Sequence, residues 1–211
     1  IAGVVNAPAP EGFIHGNVDG TRRMTAAATS MGVRRFVHVS SMSAREPQLS
    51  NYGRSKALAE LEVRESGLDW TMIRPPGVYG PGDMEMRDIF RMAKSGFVLL
   101  PPAGRISLIH VSDLARLLVT LALTDPGREV YECDDGVDGG YTHAGFAHLV
   151  GEAVGKRPIP LSVPRGLLHL AARADRFFRE ANAKLTLALY FEPDRGILPK
   201  RGERSEERRV G

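Results

Sequence analysis

A strand, a helix and a second strand follow one another in residues 34–74, RRFVHVSSMSAREPQLSNYGRSKALAELEVRESGLDWTMIR. The apolar runs at residues 36–39 and 70–73 have the length and composition of strands. Between them, residues 52–66 show helical spacing and stop at Gly67. Because parallel strands need a crossover, usually a helix, this order predicts an α/β sheet with helices on both faces.

The rest of the chain continues the alternation less regularly. Residues 1–6 have the pattern of the end of a buried strand. The following pattern predicts helices at 17–31, 84–95, 112–123, 142–154 and 167–179, and strands at 107–109, 130–133 and 159–163.

The chain is expected to form three parts. Residues 1–83 carry the parallel sheet, and residues 84–198 form a smaller α+β lobe from which some strands return to that sheet. Residues 199–211 have mixed charge and almost nothing to bury, so we expect a disordered tail of the kind that a cloning scar produces.

Composition sets modest bounds on function. The chain has 28 basic and 25 acidic residues, for a formal net charge of +3, but the basic residues are dispersed and favour a solvated surface over a nucleic-acid partner. The single cysteine, Cys133, cannot form an internal disulfide and fits a reducing cytoplasm. Because no apolar run has the length of a membrane span and the histidines show no ligand grouping, we expect neither a membrane nor a metal partner.

The pair Tyr52 and Lys56 is the strongest candidate for chemistry. Their spacing places both side chains on one helix face. A Lys ammonium about 4–5 Å from a phenolate stabilises it by roughly 3–4 kcal/mol at an effective dielectric of about 20. That lowers the phenol pKa by roughly two to three units, into the range of general acid–base catalysis. A hydroxyl at the end of the preceding strand, from Ser41 or Ser40, can hold the group that is protonated.

Five segments in this order resemble the extended short-chain dehydrogenase/reductase superfamily, in its NAD-dependent epimerase/dehydratase and 3β-hydroxysteroid-dehydrogenase-like branch. The resemblance covers roughly residues 1–165, and its segments are Asn17–Thr21, Val39–Ser41, Tyr52–Lys56, Arg74–Gly82 and Ser107–Ala115. It implies a doubly wound, Rossmann-like parallel sheet, a smaller substrate lobe, and NAD or NADP as the cofactor. The implied reaction is hydride transfer coupled to proton transfer on a ketone, a secondary alcohol or a nucleotide-sugar carbinol.

The resemblance also implies that an N-terminal part is missing. The family opens with a strand and a glycine-rich turn that holds the cofactor pyrophosphate. No Gly-x-x-Gly-x-x-Gly precedes the first matching segment here. We therefore expect the chain to lack the first three strands and the residues that choose NAD or NADP. As given, it is expected to bind little cofactor and to be inactive.

The resemblance assigns roles to individual side chains. Tyr52 is expected to be the general acid/base, and Lys56 to lower its pKa and bind the nicotinamide ribose. Ser41 is expected to orient the substrate, with Ser40 and Ser43 as less favoured stand-ins.

Further site residues follow from the same resemblance. Asn17 matches a helix asparagine near the proton path, although a helix N-cap fits this residue equally well. The remaining residues are expected to border the cofactor, and they are Ala2, Gly3, Pro75, Pro76 and Val78.

Two function classes remain open on the sequence. The segment between Ser41 and Tyr52 is shorter than the one that sugar-nucleotide epimerases of the resembled family usually carry. This difference weakens a nucleotide-sugar assignment and leaves a general ketone/alcohol oxidoreductase. The other class is a non-catalytic relative that binds dinucleotide as a sensor or an assembly subunit. Such relatives commonly lack the Tyr or the Lys, so their presence together favours the enzyme. A small-molecule substrate and a homodimer are the partners expected by analogy.

Overall fold

The computed structural model describes residues 3–83, 86–124, 127–164 and 166, and the backbone of residues 207–210. The chain divides into two compact units. The first comprises Ile1–Val78, Leu108–Gly136 and Lys200–Gly211, and the second comprises Tyr79–Ser107 and Val137–Pro199. The first unit therefore ends five residues before the boundary expected at residue 83, and the chain later returns to it.

The elements of the described residues follow the predicted alternation. The helices are α1 (Pro10–Phe13), a π-helical segment (Ile14–Asp19), α2 (Gly20–Ser30), a 3-10 helix (Met42–Arg45), α3 (Asn51–Glu65), α4 (Arg87–Lys94), α5 (Val111–Leu123) and α6 (His143–Ala153). The strands are β1 (Arg35–Val39), β2 (Asp69–Arg74), β3 (Gly77–Tyr79), β4 (Phe97–Leu100), β5 (Arg105–Ile106), β6 (Leu108–His110), β7 (Val130–Cys133), β8 (Tyr141–Thr142), β9 (Ile159–Ser162) and β10 (Glu207–Val210). The helix predicted at 167–179 lies outside the described residues.

The sheet of the first unit is parallel, as predicted. Its strand order is β1-β2-β7-β10. Arg35 pairs with Asp69 at the start of β1, and Met72 pairs with Val130 across β2 and β7. Residues 71–73 of the central strand β2 have no exposed surface. A central parallel strand that is buried on both faces is typical of a Rossmann-like sheet.

Two apolar cores lie on opposite faces of this sheet. Successive side chains of a strand point to opposite faces, and β2 divides its residues accordingly. Met72 joins Val63 of α3 in one core, and Ile73 joins Leu114 of α5 in the other. The sheet thus has a helix layer on each face, which confirms the doubly wound arrangement.

Residues 3–6, the described part of the first expected strand, do not behave as predicted. Residues 3–6 form no strand, although the sequence pattern indicates one. The Asn17 amide binds both backbone polar groups of Val4 and so takes the place of a neighbouring strand.

The C-terminal residues also differ from the prediction. Residues 207–210 lie in the tail that was expected to be disordered, but their backbone forms β10 and pairs in parallel with β7. The physical reason is that the outer edge of β7 presents unpaired N–H and C=O groups, which a further strand satisfies. The prediction of disorder is therefore wrong for these four residues.

The second unit is a small α+β lobe. Strands β4 and β9 pair in parallel, and β5 and β8 pair antiparallel. Helices α4 and α6 contact each other and β4. Within this layer Ala93, Val98 and Ala147 have no exposed surface and form part of the lobe's core. Among the described residues, no helix combines the length and apolar character that crossing a bilayer requires.

Candidate active site

The helix α3 carries Tyr52 and Lys56 in its first turns. Its start is fixed by the Ser50 hydroxyl, which accepts a hydrogen bond of 2.9 Å from the Gly53 N–H. A Cβ at Gly53 would lie 2.5 Å from the carbonyl oxygen of Ser43. Only glycine therefore lets α3 approach the 3-10 helix this closely.

Lys56 is buried at the carboxyl end of β1. The residue is 6% exposed, and its Nζ donates a hydrogen bond of 2.8 Å to the carbonyl oxygen of Val39. Burial lowers the pKa of Lys56 to about 8, while the charge of Glu60 acts in the opposite direction. The ammonium is therefore still protonated at neutral pH and can stabilise a nearby phenolate.

Tyr52 is half-buried and is oriented by an aromatic neighbour. Its ring meets the Phe13 ring edge-on, with the two centroids 6.4 Å apart and the planes at 63°. Its backbone carbonyl accepts a hydrogen bond of 2.7 Å from the Ser55 hydroxyl. Both contacts come from side chains that the sequence analysis did not select.

Asn17 is not a helix N-cap. It lies inside the π-helical segment, in a helical stretch that begins at Pro10. Its Oδ1 accepts from the Val4 N–H at 2.7 Å, and its Nδ2 donates to the Val4 carbonyl and to the Ser55 hydroxyl, both at 2.9 Å. Asn17 is therefore joined through Ser55 to the backbone of Tyr52, and a π-helical segment at such a position is typical of functional sites.

Ser41 is the half-buried hydroxyl that begins the 3-10 helix. Its Oγ accepts a hydrogen bond of 3.2 Å from the Ser43 N–H. The neighbouring Ser40 is 4% exposed and donates its hydroxyl to the Glu60 carboxylate. Since Ser40 is committed to this internal contact, the geometry favours Ser41 over Ser40 as a hydroxyl for substrate.

The residues expected to border the cofactor are only partly described. Pro75 is buried, and its carbonyl accepts a hydrogen bond of 3.1 Å from the Met42 N–H. Pro76 is half-buried, Val78 packs against the core beneath α5, and Gly3 is exposed. Ala2 lies outside the described residues. Their contacts with a cofactor stay predictions.

A buried ion pair, which the sequence did not predict, accompanies this site. Glu60 of α3 is only 4% exposed, although a charged residue ordinarily lies at the surface. Arg74 donates two hydrogen bonds to it, of 2.9 and 2.8 Å. Burial raises the pKa of the Glu60 carboxyl, yet the hydrogen bonds and charge of Arg74, together with the hydrogen bond from Ser40, outweigh burial and hold it below its usual value.

His38 is a second buried group that the sequence did not reveal. It is 8% exposed on β1, and its Nε2 has no hydrogen-bond partner among the described residues. Burial and the nearby charge of Lys56 lower its pKa to about 4, while Glu60 acts in the opposite direction. The imidazole is therefore neutral at physiological pH.

Three relatives are similar to this chain in sequence. The ceramide reductase of Caulobacter vibrioides is 36% identical over 192 residues, which cover 90% of this chain and 60% of the reductase. The human 3 beta-hydroxysteroid dehydrogenase type 7 is 30% identical over 158 residues, covering 57% of this chain and 43% of the dehydrogenase. A mitochondrial subunit of Mus musculus, NADH dehydrogenase (ubiquinone) 1 alpha subcomplex subunit 9, is 39% identical over 111 residues, covering 50% of this chain and 28% of the subunit. The chain thus spans less than two thirds of the length of each.

Two solved structures show the same fold. MoeE5 in complex with UDP-glucose and NAD superposes with a TM-score of 0.61 at 24% identity, covering 77% of this chain and 64% of MoeE5. The dTDP-4-dehydrorhamnose reductase of Bacillus anthracis, in complex with NADP, has a TM-score of 0.65 at 17% identity, covering 79% of this chain and 64% of the reductase. At these identities the likeness concerns the fold.

A family model described as NAD(P)H-binding matches residues 3–124, more than half of the chain. The match includes Tyr52 and Lys56. The buried Lys56 ammonium has three N–H donors and gives one to Val39, which leaves two for hydroxyls such as those of a nicotinamide ribose. The residues present therefore fit the cofactor, and the chain belongs to the NAD(P)-binding domains of the NAD-dependent epimerase/dehydratase and short-chain dehydrogenase/reductase superfamily.

Proposed function

We propose that the protein is an NAD(P)-dependent oxidoreductase in which Tyr52 exchanges a proton with a ketone or secondary alcohol as hydride is transferred. The observation that carries this proposal is the Tyr52–Lys56 pair on α3, in which the ammonium is buried and anchored on Val39. The bound nicotinamide would supply or accept the hydride.

The proton step depends on the charge of Lys56. While Lys56 is protonated, it stabilises the phenolate form of Tyr52 and brings the phenol pKa toward neutrality. In the oxidation direction Tyr52 would take the carbinol proton, and in the reduction direction it would protonate the carbonyl oxygen. Because the pKa of Lys56 is about 8, this assistance should fade as the pH rises through that value.

Ser41 and Asn17 would support this step from two sides. The Ser41 hydroxyl begins the 3-10 helix and would hold the substrate oxygen. Asn17 is linked through Ser55 to Tyr52 and would hold the start of α3 in place near the proton path. Lys56 would in addition bind the ribose, with Gly3, Pro75, Pro76 and Val78 bordering the rest of the cofactor.

The substrate class is a ketone or secondary alcohol, and a lipid of this kind is the first to test. The similarity to the ceramide reductase extends over 90% of this chain, more than the similarity to the steroid dehydrogenase. The short segment from Ser41 to Tyr52 makes a nucleotide-sugar carbinol the less favoured substrate. A cytoplasmic location and a homodimer are proposed with this function.

The test is NAD(P)H consumption by the full-length protein with long-chain ketones. Tyr52→Phe should lower kcat at least about 100-fold, because it removes the only exchangeable proton of the side chain and little else. The Kd for NAD(P)H should stay within about twofold of wild type. Tyr131→Phe is the matched control, since Tyr131 lies in the core on the other face of the sheet. Unchanged turnover in Tyr52→Phe would contradict the proposal.

A non-catalytic role is the alternative, and one observation favours it. The murine NADH dehydrogenase subunit is 39% identical over half of this chain, although it is named for an assembly rather than for a reaction of its own. On this alternative the full-length protein would bind NAD(P)H, turn over no ketone, and purify in a larger complex. Tyr52→Phe would then alter none of these properties.

The chain of 211 residues is proposed to bind cofactor poorly. The observation behind this is the lack of a glycine-rich turn before Asn17. Fluorescence titration with NADH and NADPH of residues 1–211 should show no binding at micromolar concentrations. Micromolar affinity in this chain would contradict the proposal.

A further inference from the structure

A line of buried ion pairs crosses the carboxyl ends of β2 and β7. Arg74, at the end of β2, lies between two carboxylates: its Nη2 is 2.8 Å from Glu60 Oε2 and its Nη1 is 3.8 Å from Glu132 Oε1. All three side chains are nearly buried, with exposed fractions of 10% or less. Arg74 thus joins the helix that carries Tyr52 and Lys56 to strand β7.

The line continues from Glu132 to the segment that follows Ser41. Nη1 of Arg45 is 3.3 Å from Glu132 Oε2, and the Arg45 side chain is 24% exposed. Arg45 is the last residue of the 3-10 helix, and Ser41 is its N-cap. The other end of this helix is held by the hydrogen bond from the Met42 N–H to the Pro75 carbonyl. The short helix is therefore fastened at both ends.

We propose that Arg45 and Glu132 are positioning residues, whose ion pair holds the 3-10 helix so that the Ser41 hydroxyl faces the substrate oxygen. Neither residue needs to touch substrate or cofactor. The kinetic consequence rests on the oxidoreductase activity proposed above, whereas the positioning of the helix does not.

The packing of the 3-10 helix explains why such a fastening matters. The middle of the 3-10 helix packs closely against α3 at Gly53. This close contact leaves the middle little room to deform, so we expect a displacement of Arg45 to move Ser41 as well. The helix α3 meanwhile stays anchored, because Glu60 keeps its two hydrogen bonds to Arg74. Ser41 would then move relative to the Tyr52–Lys56 pair. A misplacement of about 1 Å in a reacting group can cost about 100-fold in rate.

The kinetic test compares two substitutions of one residue in the full-length protein. Arg45→Met removes the charge, and we expect kcat for a ketone substrate to fall at least about tenfold while the KM for NAD(P)H changes less than about twofold. Arg45→Lys keeps the charge and should restore kcat to within about threefold of wild type. Arg22→Met is the control, since it breaks a 2.7 Å ion pair with Glu62 in the same unit at a site far more exposed. It should leave kcat unchanged.

A second measurement needs no substrate. The Ser43 and Ala44 amides donate to the hydroxyl and the carbonyl of Ser41, so their hydrogen exchange reports directly on the position of the short helix. In Arg45→Met these two amides should exchange at least about tenfold faster, while the amides of α3 keep their wild-type rates.

The two measurements separate the positioning proposal from the proposed function. If wild type turns over no ketone, the oxidoreductase proposal fails, and the exchange result still decides whether Arg45 holds the helix. Wild-type exchange in Arg45→Met overturns the inference. So does faster exchange with unchanged kcat, because Ser41 would then not depend on the helix. An Arg45→Lys variant as impaired as Arg45→Met also overturns it, since charge would not be the cause.

Discussion

The two faces of the parallel sheet are built from different residue types. The face beneath α5 is mainly apolar and includes Ile73, Leu114 and Leu121. The face beneath α3 is apolar near Trp70 and Met72 but becomes charged toward the carboxyl ends of the strands, where it buries His38, Ser40, Lys56, Glu60, Arg74 and Glu132. Ligands of open α/β sheets bind at the carboxyl ends of the strands. The charged end of one face therefore coincides with the proposed active site.

Breaking the charged face should have the largest effect on stability. Arg74→Met leaves the Glu60 carboxylate buried without its main cation and removes one of the two cations beside Glu132, so we expect the free energy of unfolding to fall by about 3–5 kcal/mol. Urea denaturation of Arg74→Met and of the exposed control Arg22→Met measures this difference, since the control should lose at most about 1 kcal/mol. A loss below about 1 kcal/mol in Arg74→Met would show that solvent reaches this face.

The buried imidazole of His38, on the same face, should make the free energy of unfolding sensitive to acid. The pKa of His38 is about 4 in the folded chain against 6.5 ordinarily, so the unfolded chain binds more protons between these values. The free energy of unfolding should thus fall by about 3 kcal/mol, at about 1.4 kcal/mol per pH unit, as the pH drops from 6.5 to 4.

His38→Leu provides the comparison for this acid effect. The variant cannot bind the proton and has no buried Nε2 to satisfy, so its unfolding free energy should fall less over the same pH window. Urea titrations of both proteins at several pH values measure the difference. Parallel pH profiles would contradict the burial of a neutral His38.

The apolar face should give the smallest effect. Ile73→Val removes one methylene from the core beneath α5 and should lower the free energy of unfolding by about 1 kcal/mol at every pH between 4 and 8. The same urea titrations check this value. A pH-dependent loss in Ile73→Val would mean that the two faces are coupled.

Much of the fold could be predicted because its signals are local. The strands at β1, β2 and β7 and the helices α3 and α5 follow from short apolar runs and helical spacing, and they were predicted to within a few residues. The short strands β3, β4, β5 and β8 were missed. Residues 3–6 of the first expected strand form no strand, and a side chain, Asn17, supplies the backbone hydrogen bonds of Val4 instead.

The candidate site likewise contains residues that the sequence predicted and residues that it did not. Tyr52 and Lys56 were recognisable because they lie one helical turn apart, and Ser41 because it ends a strand. Glu60, Arg74, Glu132 and Arg45 were not, because a charged residue ordinarily indicates solvent exposure when it is considered alone. Asn17 fitted two roles on sequence, and only its hydrogen bonds to Val4 and Ser55 decided against the N-cap.

The sequence by itself determined the order of elements and the Tyr52–Lys56 pair, because both depend on residues a few positions apart. Only the tertiary structure decided that Lys56 is buried against Val39 and that the charges of Glu60, Arg74 and Glu132 meet inside the protein. These contacts join residues 14 to 58 positions apart, and burying each charge is favourable only when its partner arrives from another element.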